Sequence, residues 1–234
     1  MTQLPFFDRV EAGRLLAAEL AQHKLPTRVI VLALPRGGVP VGREVARALH
    51  APLDVVVVRK LGAPWQPELA MGAIAGGSTQ VLNEELVAEL HVSGGEINAA
   101  IARERAELER RERLYRGGRP APDLRGRVVL LIDDGLATGA TMLVAARYVR
   151  ALKPAKVIVG APVGSAQACA LLRKEVDELV CLATPPSFMA VGEWFRDFRQ
   201  VSDAEVQRLL EQNRREVEDL EVAHKLWPRG VCRE

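Results

Sequence analysis

The chain has 234 residues, 48% of them apolar and 26% charged, the mix of a folded globular protein and not of a disordered one. Its length suits one α/β domain with a small appendage, and a net charge of +2 gives no global reason to expect nucleic acid or a membrane surface. No apolar run approaches the ~20 residues of a membrane span. The first ten residues, with Pro5 and Asp8, lack the basic-then-apolar order of a secretion signal, so a cytoplasmic protein is expected. Three cysteines, Cys169, Cys181 and Cys232, form no CxxC pair, and four scattered histidines have no zinc spacing.

In chain order, Asp8 is placed to cap a helix running to about residue 23. Residues 29–34 read as a buried strand stopped by Pro35-Arg36-Gly37-Gly38, and a helix follows over about 40–49. Residues 53–58 form a second apolar run, rich in β-branched valine as parallel strands buried on both faces are. Gly62, Pro64 and Pro67 predict an irregular segment over 59–66, with short strands at 72–75 and 80–82. A helix over about 96–116 is dense in arginine and glutamate, and its Glu107/Arg111, Glu109/Arg113 and Glu112/Arg116 pairs have the favourable i,i+4 order. The arginines between Arg103 and Arg119 therefore read as a solvated, ion-paired face, not an RNA surface.

Strands at 128–132, 156–160 and 178–183 alternate with helices at about 142–152 and 166–174. Such alternation calls for a doubly wound, mostly parallel sheet flanked by helices. Past Pro185-Pro186 the texture changes, with Phe188, Trp194, Phe195 and Phe198 close together ahead of a charged helix from about Asp203. The expected division is a binding core over 1–183, with a helical insertion at about 84–118, and a C-terminal hood and helix over 184–234.

Ligands of open α/β sheets sit beyond the carboxyl ends of strands. There the chain places Asp133-Asp134, then Gly135, which eases the exit from the strand, and then Ala137-Thr138-Gly139-Ala140-Thr141 at a helix start. Two carboxylates without basic neighbours in sequence suit the hydroxyls of a diol or a divalent cation. Free amides and small residues at a helix N-terminus suit a phosphate. There is no GxxxxGK[ST] and no GxGxxG, so a P-loop or dinucleotide site is not indicated.

The stretch from Val128 to Thr141, with its apolar strand, acid pair and Thr-Gly-x-Thr cup, resembles the phosphoribosyl-diphosphate signature of the type I phosphoribosyltransferases. The resemblance covers about residues 25–183, and it departs from the family at Ala140, where glycine is common. It implies that Asp133 and Asp134 hold the ribose hydroxyls and that Ala137, Thr138, Gly139, Ala140 and Thr141 wrap the 5′-phosphate. It further implies that Pro35, Arg36, Gly37 and Gly38 bind pyrophosphate, with Arg59 and Lys60 as further phosphate contacts. Residues 61–78 resemble the family's mobile loop, where Glu68 is a candidate base or ribose contact. Mg²⁺ is implied as cofactor, carried mainly by substrate oxygens with no dedicated protein site and with Asp133 or Asp134 as candidate ligand. Family habit implies a homodimer.

The implied reaction transfers a phosphoribosyl group to a nitrogenous base. Ala137 stands where hypoxanthine-guanine enzymes carry an acid, which resembles the adenine and orotate types. The stretch from Ser187 to Asp197, however, resembles the hood of 6-oxopurine enzymes, with Phe188 as stacking residue and Arg196 as phosphate contact. The base is thus left open. The rival reading is a non-catalytic regulator of the same fold that senses phosphoribosyl diphosphate or nucleotides.

Overall fold

The computed structural model describes residues 4–226 except 24, 26, 27, 77 and 78. A five-stranded parallel sheet forms its centre, in the order β2-β1-β6-β7-β8, from β1 (Val29–Ala33), β2 (Leu53–Val55), β6 (Val128–Ile132), β7 (Lys156–Val163) and β8 (Glu178–Ala183). A second, antiparallel sheet joins β3 (Val58–Ala63), β4 (Gln66–Ala75) and β5 (Thr79–Leu82).

The two-residue period of a strand decides how the core is divided. Val31, Ala33, Leu130 and Ile132 pack with Leu16 and Leu20 of α1 (Arg9–Leu20) and Val41 and Val45 of α2 (Gly38–Ala48). Their strand neighbours Ile30, Leu32, Val129 and Leu131 pack on the other face, against Met142 and Val149 of α5 (Ala140–Ala151) and Leu172 of α6 (Ala166–Leu172). Both faces are therefore covered, as continuous apolar strands require.

The helix ends follow local chemistry. Asp8 accepts from the Glu11 amide at the start of α1. After the short α3 (Glu84–Glu89), Ser93 and Glu96 form a reciprocal capping box for α4 (Gly94–Arg116), which ends at Gly117 with φ 59°. All three anticipated glutamate–arginine pairs of α4 are present, at 2.8, 3.7 and 3.3 Å. Helix α7 (Asp203–Leu226) packs back across α2 and α4.

The expectation of an irregular stretch over 59–66 is corrected. Those residues belong to β3 and to a hairpin whose tip, Pro64-Trp65, leaves Trp65 exposed. The pairing of β3 with β4 slips at Leu61/Gly62 and again at Gly62/Ala63. These irregularities absorb the glycine and the prolines that looked like breakers. The second buried strand is likewise shorter than expected, because the chain leaves the main sheet after Val55.

Candidate functional site

Strand β6 ends at Ile132, so Asp133 and Asp134 both lie past its carboxyl end. The Asp134 amide donates to Asp133 Oδ1 at 2.9 Å, holding the first carboxylate beside the second residue's backbone. Leu136 then docks beside β7, its amide donating to the Val163 carbonyl and its carbonyl accepting from the Ser165 amide, at 2.9 and 2.8 Å. Ser165 Oγ also donates to the Ala137 carbonyl at 2.6 Å, which fixes the start of the following loop.

That loop presents Ala137, Thr138 and Ala140 to solvent. Gly139 caps α5 with φ 76°, and a Cβ there would lie 3.2 Å from the Ala168 Cβ. Only glycine meets both demands readily. Thr138 Oγ1 accepts weakly from the Ala140 amide at 3.4 Å, while the amides of Thr138, Gly139 and Thr141 have no hydrogen-bond partner among the described residues. Unpaired amides at the start of a 12-residue helix form an anion seat.

The 35–38 turn abuts the acid pair directly. It contains a cis Pro35–Arg36 peptide and closes through Gly38 N–H to the Leu34 carbonyl at 3.0 Å. A Cβ on Gly37 would stand 2.0 Å from Asp134 Oδ2, and one on Gly38 would stand 2.7 Å from the Ile132 carbonyl oxygen. The glycines are thus required by close approach, not by backbone conformation, since Gly37 sits in the ordinary helical region. Arg36 leaves this turn toward α7, where its Nη1 lies 3.7 Å from Asp203 Oδ1. The same oxygen accepts from the Tyr115 hydroxyl at 2.7 Å. Burial, then the Asp203 contact, pushes that phenol up to about 12.

The two neighbouring acids repel one another in a site with little water to screen them. Burial, then the adjacent Asp134 carboxylate, pushes Asp133 well above the usual carboxylate range. Burial also raises Asp134, and Arg9 opposes that rise. Arg9 Nε donates to Asp134 Oδ2 at 2.7 Å. Among the described residues, no group of three or more His, Cys, Asp and Glu side chains is arranged to hold a metal ion. The pair offers hard oxygen donors suited to flank magnesium, but too few to enclose it without substrate oxygens.

The comparisons with known proteins agree with this layout. The phosphoribosyl transferase domain family matches residues 8–193. The chain belongs to the phosphoribosyl transferase family. A Mycobacterium tuberculosis H37Rv protein named "Putative phosphoribosyl transferase Rv0571c" is 47% identical over 211 residues, covering 90% of this chain and 47% of that protein. The chain spans about half the length of the curated relatives it matches. Among solved structures, TT1426 from Thermus thermophilus shares 42% identity and a TM-score of 0.78, over 89% of this chain and 99% of that one. The mostly parallel sheet with helices on both faces is the type I phosphoribosyltransferase fold that the sequence motif implied.

The other positions expected in a phosphoribosyl transferase site lie in β3 and in the hood. Arg59 and Lys60 do not end a buried strand; they lie within β3, where Arg59 Nη2 pairs with Glu104 of α4 at 2.7 Å. Phe188 stacks on Trp194 with centroids 6.3 Å apart, half-buried in the hood cluster. Arg196 is exposed, and its amide donates to the Phe6 carbonyl at 2.8 Å. The Glu68 side chain and Cys232 lie outside what the structure describes. The missing side chain of Gly135 makes room for Val191, whose Cγ1 would be 2.5 Å from a Cβ there.

Sequence reasoning missed the N-terminal contribution. Phe6 pairs with Phe195 as a parallel bridge, so the segment before α1 is part of the hood. Arg9 reaches the acid pair from 125 residues away in sequence. Neither has a local signal, although an arginine in the first turn of a helix, where the macrodipole disfavours cations, is an anomaly that could have been noticed.

Proposed function

We propose that this chain binds phosphoribosyl diphosphate across the 133–141 loop and transfers its phosphoribosyl group to a nitrogenous base, releasing pyrophosphate. The observation that carries the reading is the run of one acid pair and one amide-lined cup, seated against the glycine turn that ends β1. Asp133 and Asp134 accept the ribose hydroxyls, and residues 137–141 hold the 5′-phosphate by backbone amides and the hydroxyls of Thr138 and Thr141. The 35–38 turn takes the diphosphate, with Arg36 swinging from Asp203 to meet it.

As the C1–oxygen bond stretches, positive charge grows on the sugar and negative charge on the departing diphosphate. Carboxylates at the one and cationic or amide donors at the other stabilise that separation more than they stabilise the ground state. When bound, magnesium neutralises charge on the diphosphate, whose oxygens supply most of its ligands. The β3–β4 hairpin, with Trp65 at its tip, is assigned to cover the sugar and exclude water. Lys60 remains assigned to diphosphate contact; Arg59 serves there only by releasing Glu104. Phe188 and Arg196 remain assigned as the base-stacking and phosphate-contacting residues of the hood. A cytoplasmic setting fits the unpaired Cys169 and Cys181.

The arginines of α4 at 110, 111, 113 and 116 are paired with glutamates of the same helix, which weighs against a nucleic-acid surface there and leaves the sensor reading to be judged on turnover. Pyrophosphate release from phosphoribosyl diphosphate and magnesium, measured against a panel of purines and pyrimidines, tests the proposal. Turnover with at least one base is expected. Tight binding of phosphoribosyl diphosphate without turnover on any base is the result that favours the sensor.

A further inference from the structure

The Arg9 guanidinium is held by two hydrogen bonds and an aromatic face. Nε donates to Asp134 Oδ2 at 2.7 Å, Nη1 donates to the Arg199 carbonyl at 2.9 Å, and its carbon lies 3.8 Å from the centroid of the Phe198 ring. Both members of the Arg9–Asp134 pair are nearly buried, with side chains 11% and 14% exposed. Phe198 packs on Phe195, and Phe195 on Phe6, so a single residue ties the acid pair to the hood and the N-terminal segment.

Stability alone does not account for this arrangement. A buried ion pair adds little net stability once the desolvation of both charges is counted. A cation in the first turn of α1 also opposes the helix macrodipole. What the pair does deliver is a fixed carboxylate: Asp134 Oδ2 is committed to Arg9, and the carboxylate is wedged where Gly37 leaves space for it. The same carboxylate also shares a side-chain hydrogen bond with Asp133, so Arg9 anchors the acid pair as one linked group.

We propose that Arg9 is a positioning residue for sugar recognition, fixing the Asp133–Asp134 pair where it meets the ribose hydroxyls and linking that grip to the hood. The proposal rests on the reading of Asp133 and Asp134 as the sugar-hydroxyl acceptors. Arg9 itself touches neither the diphosphate turn nor the phosphate cup among its described contacts, so its effect belongs to one part of the substrate only.

The test is calorimetric titration of ribose 5-phosphate and, separately, of pyrophosphate into the wild type, Arg9→Ala, Arg9→Lys and, for reference, Arg36→Ala. Arg9→Ala is expected to weaken ribose 5-phosphate at least tenfold and pyrophosphate by no more than twofold. Arg9→Lys, which keeps a charged donor, is expected to recover part of the loss. Arg36→Ala is expected to show the opposite split. Ribose 5-phosphate binding within twofold of wild type in Arg9→Ala overturns the proposal, as does equal loss of both ligands in both Arg9 variants. A wild type that binds no ribose 5-phosphate overturns the sugar-site reading itself, and Arg9's role with it.

Discussion

Asp133→Asn should raise the melting temperature of the ligand-free protein at neutral pH while weakening phosphoribosyl diphosphate roughly ten- to a hundredfold. Burial and the neighbouring Asp134 hold the Asp133 carboxyl above its ordinary range in the folded state. The native protein therefore keeps that proton at pH values where the unfolded chain has lost it. Stability falls as pH rises from about 4, the ordinary aspartate value, through the raised native value, and the penalty is fully present above it. Asparagine carries no such penalty and can still accept from the Asp134 amide through Oδ1. The difference between the two proteins should vanish below about pH 4, where both states of the aspartate are protonated. The ligand, in contrast, loses a charged acceptor. Thermal melts across pH, paired with titration of phosphoribosyl diphosphate, check both halves; an unchanged melting profile or undiminished affinity contradicts the assignment.

Gly37→Ala should abolish most substrate binding without unfolding the protein. The backbone at Gly37, with φ −62° and ψ −35°, accepts alanine freely. The difficulty is a methyl group placed 2.0 Å from Asp134 Oδ2 and 2.7 Å from its Cγ. Asp134 cannot yield without breaking its bond to Arg9, so either the acid or the 35–38 turn must move. Displacing a positioned group by ~1 Å can lower activity about a hundredfold, and a loss of that order is expected for phosphoribosyl diphosphate. Gly117→Ala is the control. Gly117 lies in open space with φ 59°, so alanine there should lower stability by about 1 kcal/mol and leave binding alone. Similar binding losses in the two variants, or none in Gly37→Ala, would count against the contact between turn and acid pair as a functional one.

The sequence made the scaffold readable because burial on both faces turns the parallel strands into uninterrupted apolar runs, as at 29–33 and 128–132. The acid pair and the cup were readable because one strand, one turn and one helix start supply them contiguously. The ion pairs of α4 were readable from i,i+4 spacing alone. What escaped was everything that depends on distant segments meeting. The hood's pairing of Phe6 with Phe195, Arg9 beneath Asp134, and Arg59 held by Glu104 all cross long stretches of chain. The hairpin of β3 and β4 escaped for a different reason. Its glycine and prolines fall where the register slips, so residues that usually break strands sit at the irregular end of one.

A crystal structure with phosphoribosyl diphosphate and magnesium shows where the sugar and its phosphate sit. Ribose hydroxyls are expected within hydrogen-bond reach of the Asp133 and Asp134 carboxylates, with the 5′-phosphate on the amides of residues 138–141. Density for the sugar phosphate anywhere else, or an acid pair that stays closed on Arg9 with no ligand oxygen against it, contradicts the ribose and phosphate assignments.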